Sequence, residues 1–64
     1  MLEYDLYLND KKTSVGLYVR KGVGLPDLED KKDWIFDGTY SQDLLPSSVI
    51  ATVNANGHAF RDMD

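Results

Sequence analysis

The stretch MLEYDLYLNDKKTSVGLYVRK, residues 1–21, decides the fold. Apolar and polar residues alternate on both sides of a polar joint at residues 9–12. The apolar members are Leu2, Tyr4, Leu6 and Leu8 before the joint and Val15, Leu17 and Val19 after it. Successive side chains of a β-strand point to opposite faces. The pattern therefore predicts a β-hairpin with one apolar face, which another part of the chain must cover.

Two hairpin registers bring the two apolar sets onto the same face. In the first register Leu8 lies opposite Thr13. In the second, Leu8 lies opposite Val15 and Glu3 lies opposite Arg20. A shift of one residue would mix apolar and polar faces, so the pattern argues against it. The sequence does not choose between the first two registers.

The middle of the chain is less regular. Residues 22–33, GVGLPDLEDKKD, contain two glycines and a proline and predict a surface loop, with one helical turn at 27–31. The run Trp-Ile-Phe predicts a third strand at about 33–37, because aromatic and β-branched residues favour strands. Asp37-Gly38 is then either a tight turn or the end of that strand. We favour the strand end, with a connector at 41–45.

Residues 46–56 are predicted to form a helix. Pro46 suits its first turn, where the missing N–H is harmless, and Gly57 suits its end. An apolar stripe with helical period is formed by Leu45, Val49, Ile50 and Val53. The alternative is a strand at 49–53 followed by an Asn56-Gly57 hairpin turn. The helix is favoured because Pro46 and Gly57 bracket an ordinary helix length.

The predicted fold class is α+β: a small antiparallel sheet of three to four strands with one C-terminal helix packed on one face. The element order is β-β-β-α, and residues 59–61 either add a short final edge strand or pack Phe60 back on the core. The 64 residues are predicted to form a single domain. A chain of this length buries only about 60% of the surface exposed in its unfolded state. Since it has no cysteine to form a disulfide, self-association as a homodimer is an alternative to a monomer.

The charge balance limits the classes of partner. Eleven acidic and seven basic residues give a net charge of −4. Phosphate backbones are bound mainly by Lys and Arg, so nucleic-acid binding is not expected. No apolar run approaches the roughly 20 residues that cross a bilayer, and the start of the chain does not resemble a secretory signal. A cytoplasmic location without membrane contact is predicted.

No combination of residues in the sequence predicts catalysis. The single histidine, His58, cannot by itself provide the several ligands of a zinc site. The hydroxyls that it could activate, Ser47 and Ser48, lie at the opposite end of the predicted helix, about 15 Å away. The protein is therefore predicted not to be an enzyme and to use no cofactor.

The carboxylates of the middle segment, at Asp27, Glu29, Asp30 and Asp33, resemble a calcium loop only in composition. An EF-hand loop needs oxygen ligands at alternate positions and a central glycine. Here two lysines interrupt the acids, and no glycine lies among them. The cluster is interpreted as a solvated run of mixed charge, and no metal site is predicted.

A partner surface is the remaining hypothesis. Tyr7, Tyr18 and Arg20 are predicted to project from the wetter face of the hairpin, and Tyr and Arg are enriched at interface hot spots. The alternative is that these tyrosines serve only cross-strand packing. Trp34 is assigned to the core. The sequence thus favours a non-catalytic interaction or assembly module that binds another protein or itself. An acidic decoy of a nucleic-acid-binding protein is the alternative function.

Overall fold

The computed structural model describes residues 2–62, which form a four-stranded antiparallel sheet and one α-helix. The strands are β1 (Glu3–Asn9), β2 (Val15–Arg20), β3 (Trp34–Ser41) and β4 (His58–Asp62), and the helix is α1 (Ser47–Asn56). Single 3₁₀ turns occupy Lys31–Asp33 and Gln42–Leu44. The strand order is β3-β1-β2-β4. The predicted fold class, including the helix near the C-terminus and the short final strand, is confirmed.

The helix α1 forms where the apolar stripe predicted it. Pro46 directly precedes the first helical residue, and Val49 and Val53 are buried. Gly57 has a φ of 85° and ends the helix in the left-handed conformation, with its N–H donating to the Val53 carbonyl at 2.7 Å. Glycine adopts this conformation without steric penalty. The alternative strand at 49–53 is wrong.

Both predicted hairpin registers are wrong. Leu8 lies opposite Gly16, and Tyr7 lies opposite Leu17. This register is one residue away from the second prediction, and it is the shift that the alternation argued against. The two apolar sets of the hairpin consequently lie on opposite faces of the sheet. The arrangement is stable because both faces are covered, so that β2 is buried continuously from Gly16 to Val19.

Each face of the sheet carries its own apolar cluster. The helix face, which α1 covers, has a core of Tyr4, Leu6, Tyr18, Val49, Val53 and Ala59. The loop face, on the other side, has a core of Leu17, Val19 and Trp34, with Tyr7, Val15, Leu25 and Leu28 packed around it. The last two belong to the segment that the sequence predicted only as a surface loop. That segment is the cover of the second face.

The strand β3 is longer than predicted. Its register with β1 shifts, because Leu6 lies opposite Gly38 whereas Tyr7 lies opposite Phe36. Asp37 is thus the additional residue of a β-bulge, and Asp37-Gly38 is neither a turn nor a strand end. The strand continues to Ser41, so that the predicted connector begins later, in a 3₁₀ turn. The helical turn predicted at 27–31 is also displaced, to Lys31–Asp33.

Candidate contact surface

The three residues predicted to share a partner surface do not lie together. Tyr18 is only 3% exposed within the helix-face core, where its hydroxyl accepts a hydrogen bond from Arg61 Nη1 at 3.3 Å. Tyr7 is half-buried on the loop face, where its ring meets Phe36 edge-on with centroids 5.6 Å apart. The burial of Tyr18 leaves little of its side chain for a partner.

Arg20 lies on the helix face, opposite Tyr4 in the β1–β2 ladder. It is exposed, and its Nη2 donates to Asn54 Oδ1 of α1 at 2.6 Å. Its guanidinium group therefore links the end of β2 to the helix. The premise of a shared surface is wrong because the hairpin register differs by one residue from the predicted one. A partner role for Tyr7, Tyr18 or Arg20 individually stays a prediction.

The carboxylates of the middle segment have structural roles. Asp30 accepts a hydrogen bond from the Trp34 indole N–H at 3.3 Å and one from Asn9 Nδ2 at 3.5 Å. Asp33 lies 3.9 Å from the Lys11 ammonium group. Asp30 thus attaches the segment to β1 and β3, and Asp33 pairs with the turn between β1 and β2. Within residues 2–62, no group of three or more His, Asp or Glu side chains is arranged to hold a metal ion.

His58 lies at the start of β4, opposite Val19 and on the loop face. It is partly buried, and its ring meets Phe60 edge-on with centroids 5.3 Å apart. The two serines considered as its partners lie at the other end of α1. The structure therefore does not bring His58 together with Ser47 or Ser48.

Asp5 is a buried carboxylate that the sequence did not single out. It is 8% exposed, and it accepts hydrogen bonds from the Thr39 hydroxyl at 2.7 Å and from the Gly22 N–H at 3.2 Å. These bonds join β1 to β3 and to the start of the loop-face cover. No pattern in the sequence distinguishes Asp5 from a solvated residue, because its position in the alternation predicts exposure.

Replacing Asp5 with alanine is expected to lower the free energy of unfolding by about 2 kcal/mol. Each hydrogen bond to a charged group contributes about 1.5–3 kcal/mol. Part of the loss is offset because the exposed Thr39 hydroxyl can bond to water once the carboxylate is gone. Urea denaturation monitored by circular dichroism measures the change. Glu29→Ala is the matched control, since it removes an exposed carboxylate from the loop, and it should stay within about 0.5 kcal/mol of the wild type. Equal effects of the two substitutions would refute a structural role for Asp5.

An open groove of about 270 Å³ lies beside the start of α1. It is lined by Gln42, Asp43, Leu45, Ser47 and Ile50. Asp43 is the one ionisable residue in this lining, and a hydrogen bond from the Ser41 hydroxyl lowers the pKa of its carboxyl group. Among these five lining residues, no second ionisable group stands beside Asp43.

The β3 edge, Trp34–Ser41, is the most apolar exposed margin of the sheet. Within residues 2–62, the large hydrophobic residues with more than a third of their surface exposed are Leu2, Val23, Ile35, Phe36, Leu44 and Phe60. Two of these are neighbours on β3, where Ile35 is 55% and Phe36 is 54% exposed. They lie on opposite faces, Ile35 across from Leu8 and Phe36 across from Tyr7. Because α1 packs over β4 and β2, the helix leaves Ile35 uncovered.

The two edges of the sheet differ in their protection. Natural edge strands are kept from pairing by shortness, charge or a cover. The strand β4 has five residues, includes Arg61 and Asp62, and packs against α1. The strand β3 has eight residues and one charge, Asp37. The Tyr40 hydroxyl donates to Asp37 Oδ2 at 3.0 Å, and this hydrogen bond, together with the charge of Asp37, raises the pKa of Tyr40.

None of the helices within residues 2–62 has the length and apolar character needed to cross a membrane. No protein-family model, curated protein or solved structure matches this chain. A functional proposal must therefore rest on the geometry of the chain itself.

Proposed function

We propose that the chain is a non-catalytic protein–protein interaction module that binds its partner at the β3 edge. The observation that carries the proposal is the pair of half-exposed residues Ile35 and Phe36 on an edge strand. An open edge can accept an extended segment as an additional strand, with main-chain hydrogen bonds for affinity and side chains on both faces for specificity. The partner is another protein or a second copy of the chain.

The bulge at Asp37 limits where a partner strand can pair. A bulge changes the direction and the twist of its strand and interrupts the regular ladder, so a short partner strand would pair regularly along one side of it. The segment Trp34–Phe36 is the apolar side, whereas Gly38–Ser41 carries small and polar side chains except for Tyr40. We therefore place the partner strand beside Trp34–Phe36, where burial of Ile35 and Phe36 would contribute most.

The absence of catalysis is part of the proposal, as is the absence of a cofactor. It is supported by the roles that the polar side chains already have. Asp5 and Asp30 hold the loop-face cover, and Arg20 holds α1. His58 packs against an aromatic ring. These contacts give each of the four side chains a structural role, and this supports a module that acts by binding.

The acidic decoy is the less well supported alternative. It would need a continuous stripe of carboxylates facing a basic surface. Two ion pairs place cations among the acids: Lys21 Nζ lies 3.2 Å from Glu3 Oε1, and Lys11 Nζ lies 3.9 Å from Asp33 Oδ2. Such neutralised pairs weaken the field that a decoy would need.

The test compares two apolar-to-lysine substitutions. Ile35→Lys changes the β3 edge, and Leu44→Lys changes a 70% exposed residue in a 3₁₀ turn away from it. Both sites are exposed, so both variants should fold. The tagged proteins are incubated with a cytoplasmic extract of the native host, and self-association is measured by sedimentation at micromolar concentration. We expect the wild type and Leu44→Lys to retain the partner or to dimerise. The affinity of Ile35→Lys for the partner, or for itself, should be at least about tenfold weaker, since a lysine on an edge strand opposes strand pairing.

The proposal fails if the wild type neither dimerises nor retains any protein specifically. It also fails if Ile35→Lys binds as well as Leu44→Lys, because the contact would then lie elsewhere.

A further inference from the structure

We infer that Asn56 is a site of spontaneous covalent modification, by deamidation, which the folded end of α1 holds in check. The chain has three asparagines, Asn9, Asn54 and Asn56, and only Asn56 is followed by glycine. Asn56 is the last residue of the helix and is exposed. The inference is independent of the proposed partner surface, which lies on β3.

The reaction needs the main-chain nitrogen of Gly57 as its nucleophile. That nitrogen attacks the side-chain carbonyl carbon Cγ of Asn56, a new C–N bond forms, and the side-chain nitrogen leaves as ammonia with the proton lost from Gly57. Water then opens the resulting succinimide ring at either of its carbonyl groups. The products are an aspartate or an isoaspartate at position 56. Glycine favours the attack because it has no Cβ and its backbone is the least restricted.

In the folded protein this nitrogen is already engaged. The Gly57 N–H donates to the Val53 carbonyl at 2.7 Å, and this bond closes the last turn of α1. Helical backbone at Asn56 also directs its side chain back toward the preceding turn, away from the nitrogen of Gly57. Deamidation therefore requires the last turn to open, which is the type of local unfolding that helix ends undergo most readily.

The other asparagines provide internal controls. Asn54 Oδ1 accepts a hydrogen bond from Arg20, and a Cβ-bearing alanine follows it. Asn9 is 4% exposed, and its Oδ1 accepts hydrogen bonds from the N–H groups of Lys11 and Lys12, both at 2.8 Å. Both side chains are held in place by these bonds, whereas among residues 2–62 no group bonds to the amide of Asn56.

Deamidation at Asn56 would destabilise the C-terminal end of α1. A new carboxylate at position 56 lies at the C-terminus of α1, where the helix dipole makes negative charge unfavourable. An isoaspartate would also lengthen the main chain by one carbon just before the capping glycine. Both products weaken the end of the helix that covers Tyr18 and Ala59. Each event also makes the net charge more negative, and the altered protein is more prone to further opening.

The experiment measures deamidation by peptide mapping with mass spectrometry after incubation at mildly alkaline pH, with and without denaturing urea. We expect Asn56 to be the dominant site in both conditions and to react at least about tenfold more slowly in the folded protein, equivalent to an opening free energy of about 1.4 kcal/mol. Asn56→Gln should abolish the reaction, and Asn56→Asp should reproduce the lower urea midpoint of the deamidated protein.

Two results would overturn the inference. The first is equal rates for Asn56 in the folded and unfolded protein, since the capping bond would then give no protection. The second is that Asn56 is not the dominant site, whether because Asn54 or Asn9 reacts faster or because Asn56 does not react even in urea. Hydrogen exchange at the Gly57 amide gives an independent check, because the opening free energy that it measures should account for the slower deamidation of the folded protein.

Discussion

Replacement of Trp34 by alanine is expected to lower the free energy of unfolding by about 3–5 kcal/mol. The indole is 8% exposed, packs with Leu17 and Val19, and lies 5.8 Å from the Phe60 ring, centroid to centroid. Its N–H also donates to Asp30, so the substitution removes a hydrogen bond that holds residues 22–33 against the loop face. A domain of this size has a total stability of roughly 3–10 kcal/mol, and the loss would thus populate the unfolded state strongly.

Urea denaturation followed by far-ultraviolet circular dichroism measures this loss. Two further variants keep the test informative if Trp34→Ala does not fold. Trp34→Phe retains an aromatic ring and should be destabilised by less. Phe60→Ala removes a ring that is 52% exposed, and it should lower the stability by about 1 kcal/mol. A Trp34→Ala protein as stable as Phe60→Ala would mean that the loop face has no core of its own.

Tyr18→Ala is expected to lower the free energy of unfolding by about 3 kcal/mol, the range for truncating a buried aromatic ring. The prediction tests the hairpin register directly. In either predicted register Tyr18 would lie on the wetter face, and its truncation would change the stability by about 0.5 kcal/mol or less. In the observed register Tyr18 is 3% exposed and packs with Val49 and Val53.

Tyr18→Phe separates the ring from its hydroxyl. It removes only the hydrogen bond from Arg61 at 3.3 Å, so we expect a loss of about 0.5–1 kcal/mol. Both variants are measured by urea denaturation under the same conditions. A loss for Tyr18→Ala no larger than that for Tyr18→Phe would contradict burial of the ring and, with it, the observed register.

The functional prediction depended on the same register. Tyr7, Tyr18 and Arg20 form one surface only if the wetter faces of the two hairpin strands coincide. The pairing of Leu8 with Gly16 separates them, with Tyr7 on the loop face and the other two on the helix face. Conversely, the exposure of Ile35 and Phe36 depends on β3 being an edge strand. That position follows from the strand order, which no local pattern in the sequence encodes.

The sequence by itself determined the features that depend on neighbours within about one helical turn. Pro46, Gly57 and the spacing of Val49 and Val53 determined where α1 begins, ends and is buried, because helical contacts join residues three and four apart. The alternation within each hairpin strand likewise identified which of its residues share a face.

Only the tertiary structure decided how these faces combine. A strand pattern says which residues lie together, but it does not say whether one side of the sheet is covered or both. Leu25 and Leu28 cover the loop face from a segment that looks solvated, and they allow Leu17 to point away from Leu6. The burial of apolar surface depends on the area removed from water and not on the distance along the chain that supplies the cover. The register and the second core depend on that distant contact, and the open β3 edge depends on the strand order β3-β1-β2-β4.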